Sequence, residues 1–452
     1  MPDSPSARWS FARRVCLLGL AALGVRVVYL LALGRRTGGI GDYFFYHLSA
    51  NALAAGDGYR DPFIEQLGVG YPSALHPPLW SAVLAVPSWF GADTVLAHRL
   101  VGCVVGALVV VVLAYVGRAV AGERAGLVTG VVAAVTPNLV AADGSLMAET
   151  LYGLFVALVL LLAVRAGRRL TPPVALAIGV LCGLAALTRG EGVLFLLLLA
   201  VPLALVSRAG RRWLAAAAAL AGAALVVLPW TARNQLTFGS FVPLSTNEST
   251  VTAGANCDAT YSGPDLGFWR LDCIAGRDLT LNEAEQAQVW REQGSSYLRS
   301  HEKRLLVVAP VRVLRTWDLW EPRRQVSFAE GRDRGTQQVG TVVYYVEALL
   351  ALGGLVLLWR RRARLAVAVL LVPAVAVSLT SAVGFGMPRF RHAAELAIVV
   401  LAAVALEALL RRRRRTPSPE PGAGPRPEPT AGPPAGGPAG TPGDFPTPSA
   451  AR

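Results

Sequence analysis

The chain has 452 residues, of which 54% are hydrophobic and only 16% charged, yet its formal net charge is +14. That much apolar surface excludes a soluble domain of this length. The basic excess does not mark a nucleic-acid binder either, because the Arg residues cluster between apolar runs instead of lining one continuous face.

Ten runs approach the roughly 20 apolar residues that a bilayer core demands. They lie near 13–33, 97–117, 125–141, 145–165, 172–188, 191–207, 213–233, 339–359, 364–382 and 393–410. With residues 1–12 inside, one side of the membrane collects Arg8, Arg13 and Arg14, then Arg118 and Arg124, Arg165, Arg168 and Arg169, and Arg208, Arg211 and Arg212. Arg360 to Arg362 and Arg411 to Arg415 fall on the same side, which the positive-inside rule makes cytoplasmic, and both termini with it. The first run is long and lacks a small-x-small cleavage site, so it is read as an uncleaved helix. From Thr416 the chain is Pro, Gly, Ala and Ser with few large apolar residues, and 411–452 is expected to be a disordered cytoplasmic tail.

Two outside segments interrupt the spans. Residues 34–96 form a loop within the first membrane module, 13–233; in it Asp42 precedes the cluster Tyr43, Phe44, Phe45 and Tyr46. Tyr43 to Ala55 reads as an interfacial helix stopped by Gly56, and Pro78 to Phe90 is apolar but too short to span. The second outside segment, 234–338, precedes the C-terminal helices of 339–410 and carries Cys257 and Cys273 in GANCDATYSGPDLGFWRLDC. A disulfide between them is expected in an oxidising compartment. Cys16, Cys103 and Cys182 sit inside runs as small apolar fillers. No cysteine spacing suits a metal.

An outside loop opening with an acid before aromatics, then His76 before Pro77 and Pro78, then further spans, resembles the GT-C superfamily of membrane glycosyltransferases. That superfamily includes protein O-mannosyltransferases and lipid A aminoarabinose transferases. TPNLVAADGSLMAETLYGLFVALVLLL is similar to its acid-bearing third loop and fourth helix, and GLAALTRGEGVLFL, LPWTARNQLTFGSFVPLST and MPRFRHAAELAIVVLAA are similar to segments of bacterial family 39-type members. The resemblance covers roughly 13–410, and no single motif carries it. It implies an all-α polytopic bundle and an inverting sugar transfer without a cofactor. The donor would be a polyprenyl-phosphate sugar and the acceptor extracytoplasmic, with the lipid bilayer as the standing partner. Tyr43 departs from the Glu that often follows the acid, and His76 stands where a Lys often precedes the two prolines.

An acceptor hydroxyl needs a carboxylate to take its proton as it attacks an anomeric carbon, whereas the leaving phosphate needs charge neutralisation. Asp42 matches the family's acid in the first loop; the alternative is a helix N-cap. Glu149 and Asp143 are the acids of the second motif. If one helix carried both, six residues would turn them roughly 120° apart, and Asp143 could equally serve as helix N-terminal charge. For the phosphate, Arg189, Arg389 and Arg391 sit at outer span ends against the trend of the other arginines, with snorkelling to headgroups as the alternative. His76 either joins them or only shapes its turn. The competing function is a transporter or lipid-linked sugar flippase, but the paired repeats and interrupted helices that often mark transporters are not legible.

Overall fold

The computed structural model describes residues 5–37, 41–65, 70–326 and 331–415. Its body is Met1–Leu410; of the second unit, Arg411–Arg452, only 411–415 are described, as helix. The expected tail from Thr416 lies outside the described residues.

The body is helical, and an isolated bridge between Arg60 and Pro72 is the one β pairing among the described residues. In chain order we number α1 (Pro5–Ala32), α2 (Asp42–Ala55), α3 (Leu79–Trp89), α4 (Val95–Ala121), α5 (Glu123–Val135), α6 (Pro137–Asp143), α7 (Glu149–Ala166), α8 (Pro172–Ala186) and α9 (Gly190–Leu205). There follow α10 (Arg212–Phe238), α11 (Asn247–Ala255), α12 (Glu283–Ser300), α13 (Leu305–Thr316), α14 (Arg334–Arg360), α15 (Arg364–Val383) and α16 (His392–Arg415). Seven helices among the described residues are long and apolar enough to cross a membrane, or eight if the bent pair α5 and α6 is one span. The chain is a multi-pass membrane protein. The expected spans 172–188 and 191–207 are helical as α8 and α9, but α8 has only 15 residues, short of the roughly 20 that cross a bilayer unaided.

The expected span 125–141 is not continuous. Its two halves meet at 61°, because Pro137 supplies no N–H and pushes the residue before it out of the helical region; Thr136 sits at ψ 115°. Glu347 of α14 lies at this break and accepts from Thr136 Oγ1 at 2.6 Å. Asp143 and Glu149 are likewise not on one helix. α6 ends at Asp143, Leu146 takes a left-handed φ of 65°, and α7 starts afresh at Glu149, so the expected 120° offset does not apply.

This broken stretch is clamped by a buried ion pair. Arg26 of α1 donates Nε–H to Asp143 Oδ2 at 2.6 Å, and the other carboxylate oxygen accepts from Thr150 Oγ1 at 2.8 Å. A charge at this depth is tolerated only when paired. α4 comes close through Gly102 and Gly106: a Cβ at Gly106 would lie 2.1 Å from Asp143 Oδ2, so small residues four apart let α6 lie against α4.

α2 ends as the sequence suggests, on Gly56 with φ 87°. It is pinned to α4 by two imidazoles: His47 Nδ1 lies 3.0 Å from His98 Nδ1, and His98 Nε2 lies 2.8 Å from Ser88 Oγ at the end of α3. Asn51 accepts from Ser88 Oγ and donates to the Asp93 carbonyl, completing the pocket. Burial, partly offset by the Asp93 charge, holds the His47 pKa below its ordinary value. A depressed imidazole pKa means that the unfolded chain takes up the proton first on acidification. Stability is therefore complete above about pH 6.5 and declines as pH falls below it. The melting temperature should drop between pH 7 and pH 5, and His47→Asn should lessen that slope; an equal slope in both proteins would refute the assignment.

In the segment 234–338 Cys257 and Cys273 are bonded, closing a 16-residue separation. A closure of that size stabilises by about 3 kcal/mol in the chain-entropy model. Cys257→Ser with Cys273→Ser should lower thermal stability by about that amount. Non-reducing peptide mass spectrometry of the parent should find the two cysteines linked.

Candidate active site

Asp42 is the first helical residue of α2. Gly41 occupies the capping position without a side-chain bond, so the Asp42 carboxylate is not spent as a cap. It faces two basic side chains instead. Arg389 donates to Oδ2 at 3.0 Å, and His76 Nε2 lies 3.5 Å from Oδ1. Burial alone would raise the Asp42 pKa, but Arg389 and His76 outweigh it and hold the carboxyl well below the usual carboxylate range. The carboxylate is ionised at neutral pH.

The network continues inward. Arg389 Nε lies 3.9 Å from Glu149 Oε1, the first residue of α7, and Arg189 donates to that same oxygen at 2.8 Å. Arg189 also donates to Glu191 at 2.5 Å. The ring of Phe390 sits between the two cations, 5.5 Å from each guanidinium carbon. The sequence runs LTRGEG and MPRFR thus meet through one aromatic ring and one carboxylate.

Local structure fixes each member. His76 packs edge-on against Phe45 at 4.8 Å and against Tyr46 at 5.1 Å, so the aromatic cluster after Asp42 serves as a wall for the imidazole. The turn at Pro77 and Pro78 starts α3, and Leu79 donates its N–H to the Leu187 carbonyl at 3.0 Å, two residues from Arg189. Trp80 Nε1 donates to the Leu146 carbonyl at 3.1 Å and braces the turn that presents Glu149.

The superposition on solved structures decides the architecture. The archaeal oligosaccharyltransferase AglB from Archaeoglobus fulgidus, in complex with an inhibitory peptide and a dolichol-phosphate, aligns over 90% of this chain and 51% of its own, at 13% identity with a TM-score of 0.57. The same enzyme in complex with Zn and sulfate aligns over 89% and 49% at 15% identity, with a TM-score of 0.53. The fold is GT-C. The chain spans about half the length of those structures. ArnT from Cupriavidus metallidurans bound to undecaprenyl phosphate aligns over 90% and 81% at 17% identity, with a TM-score of 0.45 that adds nothing to the comparison. Residues 75–233 match the family described as dolichyl-phosphate-mannose-protein mannosyltransferase. No curated protein matches the chain in sequence.

Within this GT-C body the structure gathers Asp42, His76, Glu149, Arg189 and Arg389. It places two other candidates elsewhere. Asp143 is committed to Arg26 and Thr150, as described above. Arg391 is fully buried between Asp318, at 2.5 Å, and Glu395, at 2.7 Å, with its guanidinium 3.8 Å over the Tyr344 ring. Glu191, Phe390 and Arg332 are neighbours of the cluster that sequence reasoning missed. A charged pair two residues apart between apolar runs was a signal for Glu191, whereas Arg332 had none.

Proposed function

We propose that the protein transfers a sugar, with inversion, from a polyprenyl-phosphate donor to an extracytoplasmic glycan, lipid or protein hydroxyl. The observation that carries this reading is one ionised carboxylate, Asp42, sharing a site with Arg389, Arg189 and His76. The acceptor oxygen attacks the anomeric carbon as its proton passes to Asp42. The bond from that carbon to the phosphate oxygen breaks, and polyprenyl phosphate leaves with the electron pair. Arg389, Arg189 and His76 offset the leaving charge, and Glu149 holds the two guanidinium groups in place. An oligosaccharyltransferase of like fold holds a dolichol-phosphate, a lipid phosphate of the class proposed here.

The purified protein, incubated with candidate polyprenyl-phosphate sugars and acceptors, is expected to release free polyprenyl phosphate. Movement of intact lipid-linked sugar across proteoliposomes without any release would establish the flippase instead. The reading also requires 34–96 and 234–338 to lie outside and both termini inside. A reporter active only in the cytoplasm should work at the C-terminus and stay silent at Gly58 and Gly263; activity at Gly263 would overturn this topology.

A further inference from the structure

Arg189 and Arg389 face carboxylates of their own chain, which an incoming phosphate must displace or share. Arg332 differs. Its side chain is 9% exposed and makes no hydrogen bond or ion pair among the described residues, although Glu149, Glu395 and Arg389 all lie within electrostatic reach. Its backbone is tightly held. Thr37 Oγ1 donates to the Gly331 carbonyl at 2.9 Å, and Gly331, at φ 66°, lies so close to the Ser145 carbonyl that a Cβ would sit 2.7 Å from it. On the other side Asp333 caps α14 by accepting from the Thr336 N–H at 2.8 Å. Arg332 is therefore held over the turn that leads to Glu149.

A second buried group points the same way. His392 is 3% exposed, and both of its ring nitrogens are buried without a hydrogen-bond partner among the described residues. Its electrostatic neighbours are Asp143, Glu395, Arg332 and Glu149. The His392 ring nitrogens, buried without partners beside a charged network, are costly unless something binds them, and the nearby Arg332 guanidinium has no carboxylate bonded to it among the described residues. An anion satisfies a guanidinium through two parallel N–H donors and satisfies an imidazole through one.

We propose that Arg332, backed by His392, is the seat on which the donor's phosphate first settles, before Arg389 turns to it from Asp42. This rests on the proposed glycosyl transfer and names the residue that starts it. Once Arg389 is shared with the phosphate, Asp42 is free to face the acceptor, so donor binding precedes acceptor activation.

The test uses the full chain in phosphatidylcholine nanodiscs titrated with undecaprenyl phosphate. Arg332→Gln is expected to weaken binding roughly 10- to 100-fold, and Arg332→Lys to recover part of it. Equal affinity of Arg332→Gln and the parent overturns the seat. Because the Gln variant can also lose stability, the unaltered protein supplies a second measurement. Modification of Arg332 by phenylglyoxal, read by peptide mass spectrometry, should be suppressed by undecaprenyl phosphate, and undiminished modification overturns the seat as well. Inorganic phosphate or phosphatidylglycerol protecting Arg332 as well as undecaprenyl phosphate overturns its assignment to the donor. A parent that binds no polyprenyl phosphate defeats the glycosyl-transfer reading and the seat with it, whereas binding without protection defeats the seat alone.

Discussion

Asp42→Asn is expected to lower turnover by about 10²–10⁴ while the protein inserts and melts like the parent, the range for losing one general base. The amide keeps the side chain's size but cannot take a proton. It also withdraws the negative charge that Arg389 now faces at 3.0 Å. Donor affinity should therefore stay level or rise, because the guanidinium no longer has that carboxylate to leave. This combination, slow chemistry with undiminished donor binding, separates a base from a residue that merely holds the site together. A structural role predicts loss of donor binding together with activity. Near-parent turnover in Asp42→Asn, measured as polyprenyl phosphate release, would remove Asp42 from the chemistry and turn the search to Glu149.

The second large effect is on stability. Asp143→Ala leaves Arg26 charged, 1% exposed and unpaired deep in the bundle, which costs about 3–5 kcal/mol for a broken buried pair. Thermal unfolding in detergent should show the loss before any assay is run. Replacing both partners by apolar residues, Arg26→Met with Asp143→Leu, should recover much of it, because no buried charge is then stranded. If Asp143→Ala instead melted like the parent and lost only turnover, Asp143 would belong with Asp42 as a reacting acid.

The two predictions show what the sequence could and could not convey. Apolar runs and their flanking arginines were enough to locate the helices, since hydropathy is a local property. Gly56 and the two loop cysteines were read from local chemistry in the same way. The break at Thr136 and Pro137 was missed, although a proline is a local helix stop, because the apolar residues on both sides together make up the length of one span. Destinations were a different matter. Arg389 and Arg391 stand two residues apart with the same side chain, yet a single turn sends one towards Asp42 and buries the other against Asp318 and Glu395. Asp143 looked like a site acid because it lies in the motif with Glu149, but its partner comes from α1, 117 residues earlier. Arg332 carried no local mark. Its place depends on Thr37 and Ser145, which only the folded chain brings to Gly331.

Asp42 and Arg389 are 347 residues apart, and the guanidinium arrives with the last apolar helix. During synthesis the acid is made early and waits through the insertion of nearly every other span before it gains this counter-charge. A chain cut after Val383 would keep Asp42, His76, Glu149 and Arg189, and most of its bulk, yet lack the residue that ties Asp42 to Glu149. The insertion step that delivers Arg389 is thus also the step that joins Asp42 to Glu149, so a chain stopped before it holds these carboxylates without their shared counter-charge.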